Sequence, residues 1–293
     1  MRIALITVND FTFHPNRRLQ EAALPRGHEI TLINPYRVPC AIGGDALDIL
    51  GWEDAAQFQV VLPRQGAPIG DYGLALILQL MHMGIPVVND VHAVRITKDQ
   101  YLSLQGLAAA GLPVPDTVFV TTEEGFGRAV ERLGGFPVVA KQVNSWGGRG
   151  VVLVENQRHL EMAADFVLEE RKGLVVQRFI PPQGRRDLRA LVMGKEVVAT
   201  MELTPKEGDF RANVHLSGRP QAVDLPLEWK DIAVKAAASL GVEIAGVDMI
   251  IEPSGQPRLI EVNHSPGFKG LEAATGMDIA GLMIDYLALT YQT

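Results

Sequence analysis

The chain runs to 293 residues, 47% of them hydrophobic and 21% charged, with a formal net charge of −7 and one cysteine, Cys40. That length exceeds the roughly 100–200 residues of an ordinary domain and implies two or three packed modules, while the composition excludes collagen-like and disordered classes. A lone cysteine excludes an intramolecular disulfide and a cysteine-rich metal site, the negative charge argues against a broad nucleic-acid surface, and no apolar run reaches the roughly 20 residues that a membrane helix requires. The expectation is a cytoplasmic protein without direct nucleic-acid or membrane contact, in which Cys40 is a buried, inert thiol.

Arg2 to Val8 is an aliphatic, β-prone run that predicts a first strand, and Met1 to Asn9 does not read as a secretion signal. A helical stretch from Pro15 to Arg26, a stop at Gly27 and a strand from Glu29 to Asn34 complete a β-α-β unit. Val60 to Pro63, a helix from Asp71 to Met83 and a short strand from Pro86 to Asn89 continue the alternation, implying a mostly parallel sheet in a first module of residues 1–92.

A helix from Asp99 to Ala110 ends at Gly111, and Pro113-Val114-Pro115 reads as a connector. Strands at Thr117–Val120, Phe136–Gln142, Val151–Glu155 and Leu174–Phe179, with helices at Glu123–Leu133 and Gln157–Glu170, predict a small α+β lobe over residues 93–180. Strand-like runs at Leu188–Met193, Glu196–Leu203, Val247–Ile251 and Arg258–Val262, with helices at Leu227–Ser239 and Ile279–Leu289, predict a larger antiparallel sheet in residues 181–293.

Three groups of residues point to chemistry. Asn144 to Gly150 reads N-S-W-G-G-R-G between two predicted strands, directly after Lys141. Taken alone such a loop is equally an ordinary hairpin, but a strand-borne lysine beside glycines that free backbone N–H groups suits nucleotide phosphates. Asp248 lies on one strand and Glu261 and Asn263 share a face of the next, giving oxygen ligands suited to Mg²⁺. Carboxylates in such apolar strands need a cationic partner. His264 beside them reads as structural. The third group is Arg185, Arg186, Asp187 and Arg189, followed by Lys206 and by Asp209 to Asn213. Asp187 and Arg189 share one strand face and point to a cleft, whereas Arg185 and Arg186 read equally as a solvated charge run.

The ordered set P-R-Q-G-A-P-I-G from Pro63, K-Q-V-N-S-W-G-G-R-G from Lys141, R-R-D-L-R-A-L-V from Arg185, K-E-G-D-F-R-A-N from Lys206, A-G-V-D from Ala245 and E-V-N-H-S-P-G-F-K-G from Glu261 resembles the RimK-like branch of the ATP-grasp ligases over nearly the whole chain. The resemblance implies an ATP-grasp fold with a pre-ATP-grasp domain ahead of it, and ATP with two magnesium or manganese ions. It implies that Lys141 and Lys98 hold phosphates, that Gln177, Arg178 and Phe179 form the adenine hinge, and that Asp187 meets the ribose. Arg189, Arg211 and Asn213 would serve phosphate and acyl transfer, Asp248, Glu261 and Asn263 the metal, and Trp146, Gly147, Gly148 and Gly150 a closing lid. Two departures stand out: Gln100 occupies the place of the usual phosphate-binding lysine, and Arg178 that of a commonly acidic hinge residue.

The implied activity is ATP-dependent addition of L-glutamate, through an acyl phosphate, to the carboxyl terminus of a protein or peptide of ribosomal-protein type, by a homo-oligomer. The first module, with Asn9, Arg17, Arg18, Arg64 and Gln65, would help define the acceptor. S-W-G at Trp146 and F-K-G after Glu261 are also similar to ligases that act on amino-group carrier proteins, so addition to such a carrier or to a small acidic metabolite is the alternative. A non-catalytic ATP-binding regulator is favoured only by Gln100. A dinucleotide oxidoreductase is excluded because the first strand leads to N-D-F-T-F-H-P rather than a glycine-rich turn.

Overall fold

The structure, a computed structural model, describes residues 1–44, 46–52, 57–66, 68–143, 150–205, 210–211 and 220–291. The N-terminal part comprises β1 (Arg2–Ile6), α1 (His14–Ala23), β2 (Glu29–Ile33), β3 (Cys40–Gly43), β4 (Ala46–Ile49), β5 (Val60–Pro63), α2 (Asp71–His82) and α3 (Val91–Thr97). β1 is the middle of a parallel three-stranded sheet ordered β2-β1-β5. Positions 3–6 of β1 are all buried because both faces are covered. Ala4 and Ile6 pack with Leu76, Ile77 and Leu80 of α2, and Ile3 and Leu5 face a core shared with the C-terminal end of the chain.

Sequence periodicity misplaces some of this region. The expected strand at Pro86–Asn89 is a single parallel bridge, Val61 to Val87, because the chain turns at once so that Asp90 can cap α3 through the Ala93 N–H. The β3–β4 hairpin and the short α3 were not expected, being too brief to display a period. Cys40 lies on the hairpin and is half-buried, which corrects the expectation of a buried thiol.

The central part runs α4 (Gln100–Ala109), β6 (Thr117–Val120), α5 (Glu123–Arg132), β7 (Val138–Gln142), β8 (Val151–Val154), α6 (Gln157–Val167) and β9 (Leu174–Arg178). Its four strands form an antiparallel sheet ordered β6-β9-β7-β8. α5 begins where the Thr122 hydroxyl accepts from Gly125 N, with Glu123 and Glu124 at the positive end of the helix. Phe126 of α5 and Leu160 of α6 are fully buried against Val138, Ala140 and Val176.

The last part comprises β10 (Arg186–Met193), β11 (Glu196–Leu203), β12 (Gln221–Ala222), α7 (Leu227–Ser239), β13 (Ile244–Ile251), β14 (Pro257–Asn263), α8 (Lys269–Thr275) and α9 (Ile279–Tyr291). The sheet order is β12-β11-β10-β13-β14, all antiparallel. Strand alternation divides its side chains. Leu188, Ala190, Val192, Val247 and Met249 pack with Ala233, Ala236 and Ala237 of α7. On the opposite face Leu191, Met193 and Ile244 join the core shared with β1, α8 and α9. That same face carries Asp187, Arg189 and Asp248 nearer the other strand ends, so one surface is core at one end and polar at the other.

Asn89 fastens the two ends of the chain together. It is buried, donates through Nδ2 to the carbonyls of Ile244 (2.8 Å) and His264 (2.7 Å), and accepts at Oδ1 from the N–H groups of Glu243 (2.6 Å) and Ile244 (3.0 Å). No helix among the described residues is long and apolar enough to cross a membrane. Asn89→Ala leaves four buried backbone groups without their partner and is expected to lower unfolding stability by at least about 3 kcal/mol in urea denaturation. A loss below about 1 kcal/mol would mean that water replaces the amide at little cost.

Candidate active site

A cleft lies between the central and C-terminal sheets, with about 1200 Å³ of empty space, open solvent included. Val139 and Val151 wall it on one side and Leu188, Met249 and Ile260 on the other. Its polar lining contains Lys98, Lys141, Gln177, Arg178, Asp187, Arg211, Asp248 and Glu261, eight of the residues singled out in the sequence, with Phe179 beside them. Apolar walls with a few convergent polar groups are the usual form of a small-molecule site.

Asp248 and Glu261 are directly paired residues on β13 and β14. Glu261 is held well above the ordinary carboxylate range by burial and by the neighbouring Asp248 charge, partly countered by Arg189 and Lys141. Arg189 grips Asp248 with both prongs, Nε to Oδ1 and Nη2 to Oδ2, each at 2.6 Å. Burial alone would weaken this guanidinium as a base, but the Asp248 carboxylate reverses the effect and holds it above its ordinary value. Arg189 does not itself line the cleft, and neither does Asn263, which pairs with Gly246 one step along the same strand face.

Lys141 on β7 faces this pair from the central sheet. It is buried, donates to Gln177 Oε1 at 2.8 Å, and is pushed down to about 8, mainly by burial. Gln177 is fixed in turn by donating to the Thr117 hydroxyl at 3.0 Å. Gly150 closes the base of the β7–β8 hairpin, its carbonyl accepting from Gln142 N at 3.0 Å. Its φ of +69° and the crowding of Gln142 leave no room for a side chain there.

Arg185, which from sequence reads equally as part of a solvated charge run, has an almost fully buried side chain. It bonds Asp187 at 2.9 Å and donates to the carbonyls of Ile180 and Phe210, so it ties the start of β10 to the segment carrying Arg211. Asp187 is raised by burial, and Arg185 opposes that rise. Arg186 is the solvent-side member of the run and pairs with Glu202 at 2.6 Å. A charge run does not reveal which member turns inward, so only alternation from Asp187 could have assigned it.

Arg178 ends β9 and sends its side chain across the seam between lobes, to Glu252 at 2.5 Å. Lys98 lines the cleft while its ammonium donates to the Ile69 carbonyl at 2.9 Å. Gln100 and Ser103 also line the cleft, each with a buried oxygen that has no hydrogen-bond partner among the described residues. Arg211 lies 6.0 Å from the Phe210 ring centre. Trp146, Gly147, Gly148, Lys206 and Asn213 lie outside the described residues.

Residues 1–94 match the RimK PreATP-grasp domain and residues 97–287 the RimK-like ATP-grasp domain. The chain belongs to the RimK-like ATP-grasp family. As a member it is an ATP-dependent acid–amino-acid ligase, and the family uses ATP with magnesium. A probable alpha-L-glutamate ligase of Sodalis glossinidius is 38% identical over 288 residues, covering 98% of this chain and 97% of the relative. One from Cellvibrio japonicus is 36% identical over 289 residues, covering 98% and 95%. Among solved structures, a RimK domain ATP-grasp protein from Sphaerobacter thermophilus superposes with a TM-score of 0.77 at 26% identity, covering 98% of this chain and 99% of that one. D-alanine–D-alanine ligase from Bacillus anthracis, complexed with ATP, has the same fold at a TM-score of 0.73 and 20% identity, covering 100% and 97%.

The residues present fit magnesium. Two carboxylates face each other in a buried setting, where burial first and the Asp248 charge second hold Glu261 above its ordinary value. Oxygen donors of this kind suit Mg²⁺, a hard ion that takes its remaining ligands from water and nucleotide phosphates. A pH dependence follows. The folded protein keeps the Glu261 proton above the ordinary value of 4.5, so without metal its stability falls as pH rises from there toward the raised value. Glu261→Gln is expected to flatten that fall in melting curves, and magnesium–nucleotide binding to release protons in the same window, read by calorimetry in buffers of different ionisation enthalpy.

Proposed function

We propose that this ligase adds L-glutamate to the carboxyl-terminal carboxylate of a protein or peptide through an acyl phosphate, releasing ADP and phosphate. The observation that carries the chemistry is the convergence of Lys141, Asp187, Asp248 and Glu261 on one cleft. The choice of glutamate rests on relatives named probable alpha-L-glutamate ligases that match over nearly their full length.

In this reading Lys141 keeps two donors free for phosphate oxygens after its bond to Gln177. The backbone of Arg178 and Phe179 receives the adenine and Asp187 the ribose. Asp248 and Glu261, with Asn263 one step along the face, hold two magnesium ions, which when bound neutralise charge on the phosphates. Each Asp248 oxygen still offers a lone pair beyond its bond to Arg189. Arg189 thereby becomes a positioning residue for Asp248 rather than a catalytic one. The acceptor carboxylate oxygen attacks the γ-phosphorus as the bond to ADP breaks. The amino nitrogen then attacks the acyl carbon, phosphate leaves with the bonding pair, and the nitrogen gives up its extra proton. Arg211, Asn213 and the loop of Trp146, Gly147, Gly148 and Gly150 would shield the acyl phosphate from water. Lys98 would leave the Ile69 carbonyl to supply the charge that Gln100 lacks.

The test is ADP release by purified protein with ATP, magnesium, each amino acid and each acceptor, with mass spectrometry of the acceptor. Glutamate- and acceptor-dependent ADP release, with a product heavier by one residue and both lost in Glu261→Ala, is the expected result. Turnover with a carrier protein or a small diacid but no peptide would move the acceptor assignment, and nucleotide binding without turnover on any pair would sink the reading.

A further inference from the structure

Arg64 follows β5 at the carboxyl edge of the parallel sheet, the edge at which open α/β sheets take their ligands. It is only 7% exposed. Among the described residues its guanidinium makes a single hydrogen bond, Nη2 to the Pro266 carbonyl at 2.8 Å, and it lies 6.0 Å from the centre of the Phe268 ring. Among the described residues its Nε–H is buried without an acceptor and no carboxylate strengthens the guanidinium; burial pushes it down to about 10. A permanent charge buried without an anion is costly, and one bond to a carbonyl could be made by a neutral donor.

The surroundings share the imbalance. His264, 5% exposed, sits near both Arg64 and Lys98, bonds the Thr97 hydroxyl through Nδ1 at 2.9 Å, and approaches the Gly66 backbone. The Gln65 Oε1 is buried and unpartnered among the described residues. Thr97 and Lys98 line the nucleotide cleft, and His264 directly follows Asn263. Arg64 therefore stands where the metal end of the cleft meets the N-terminal sheet. On the neighbouring helix α1, Arg17 is drawn to Glu21, and Arg18 to Glu21, Glu272 and Asp278.

We propose that Arg64 anchors a substrate carboxylate, its planar fork meeting the two oxygens at the edge of the sheet, the anion being a carboxylate of the acceptor or of the incoming amino acid. This deepens the ligase reading above and rests on it. An anion repays the desolvation of the guanidinium, and a planar fork fixes the orientation of an acid in a way that a lysine cannot.

The experiment uses Arg64→Met and Arg64→Lys. KM values are measured for ATP, for L-glutamate and for a peptide with a free carboxyl terminus, and melting midpoints with magnesium–ADP in the absence and presence of glutarate. Arg64→Met is expected to raise the KM of one carboxylate substrate at least about 30-fold, the loss typical when one partner of a buried charge pair is truncated, while the KM for ATP stays unchanged. Its melting midpoint without substrate is expected to equal or exceed that of the wild type, because an unpaired buried charge has been removed, and its glutarate shift to vanish. Arg64→Lys is expected to fall between. Whichever KM moves names the source of the carboxylate. Unchanged KM values for both acids, no glutarate shift in the wild type, or a shift that survives Arg64→Met would overturn the proposal and leave Arg64 as a pin for Pro266. Absence of ADP release by the wild type on every pair would sink the ligase reading instead, and the glutarate shift would still decide the role of Arg64.

Discussion

Two carboxylates placed opposite one another across β13 and β14 set the terms for the rest of the cleft. Asp248 and Glu261 cannot both be charged in a buried setting without nearby positive charge, so cations are arranged around them. Arg189 takes Asp248 from the adjoining strand and Lys141 reaches toward Glu261 from the other sheet. The two lobes therefore have an electrostatic reason to face each other. Glu261 still holds its proton above the ordinary range, chiefly because it is buried and then because the Asp248 charge lies beside it.

The backbone makes this affordable by dividing one sheet face in two. Along β10 the residues at 187, 189, 191 and 193 share a side, and only the last two are apolar. Leu191 and Met193 are buried with Ile3, Leu5 and the α8–α9 helices, so the N-terminal domain is anchored on the same surface that carries Asp187 and Arg189. The opposite face, filled by small alanines of α7, carries no polar duty and keeps the strands in register. Asn89 then joins the N-terminal domain to the backbone at the start of β13 and just beyond β14, at Ile244 and His264.

How much of this the sequence displayed depended on element length and on alternation. Strands such as Thr117–Val120 and Glu196–Leu203 and the helix Leu227–Ser239 coincide with the runs that predicted them. Three-turn and longer helices carry a visible period, whereas the hairpin at Cys40–Ile49 and the seven-residue helices at Val91 and Lys269 do not. In the cleft, period two correctly gathered Asp187 with Arg189 and Glu261 with Asn263 on shared faces. It could also have placed Arg185 with Asp187, but it could not reveal that Arg189 is spent on Asp248 or that Arg64 is buried without an anion among the described residues. Those facts depend on which element arrives opposite, and no local pattern encodes that.

The two departures from the family pattern have different physical weight. Arg178 replaces an acidic hinge residue, yet its side chain points away from any base-recognising role and bonds Glu252, which Arg258 also approaches at 3.4 Å. The carboxyl of Glu252 is thereby held below its ordinary range despite its burial. The exchange moves charge to the seam between lobes, and the adenine contact proposed above, which uses main-chain groups, does not depend on it. Gln100 is another matter, because it removes a cation from the cleft lining itself. The nearby lysine is already engaged by the N-terminal domain through the Ile69 carbonyl, so drawing it into the cleft would loosen one tie between the domains. In this chain, phosphate binding and the seating of the N-terminal domain would then compete for one ammonium group, a coupling that a lysine at position 100 would abolish.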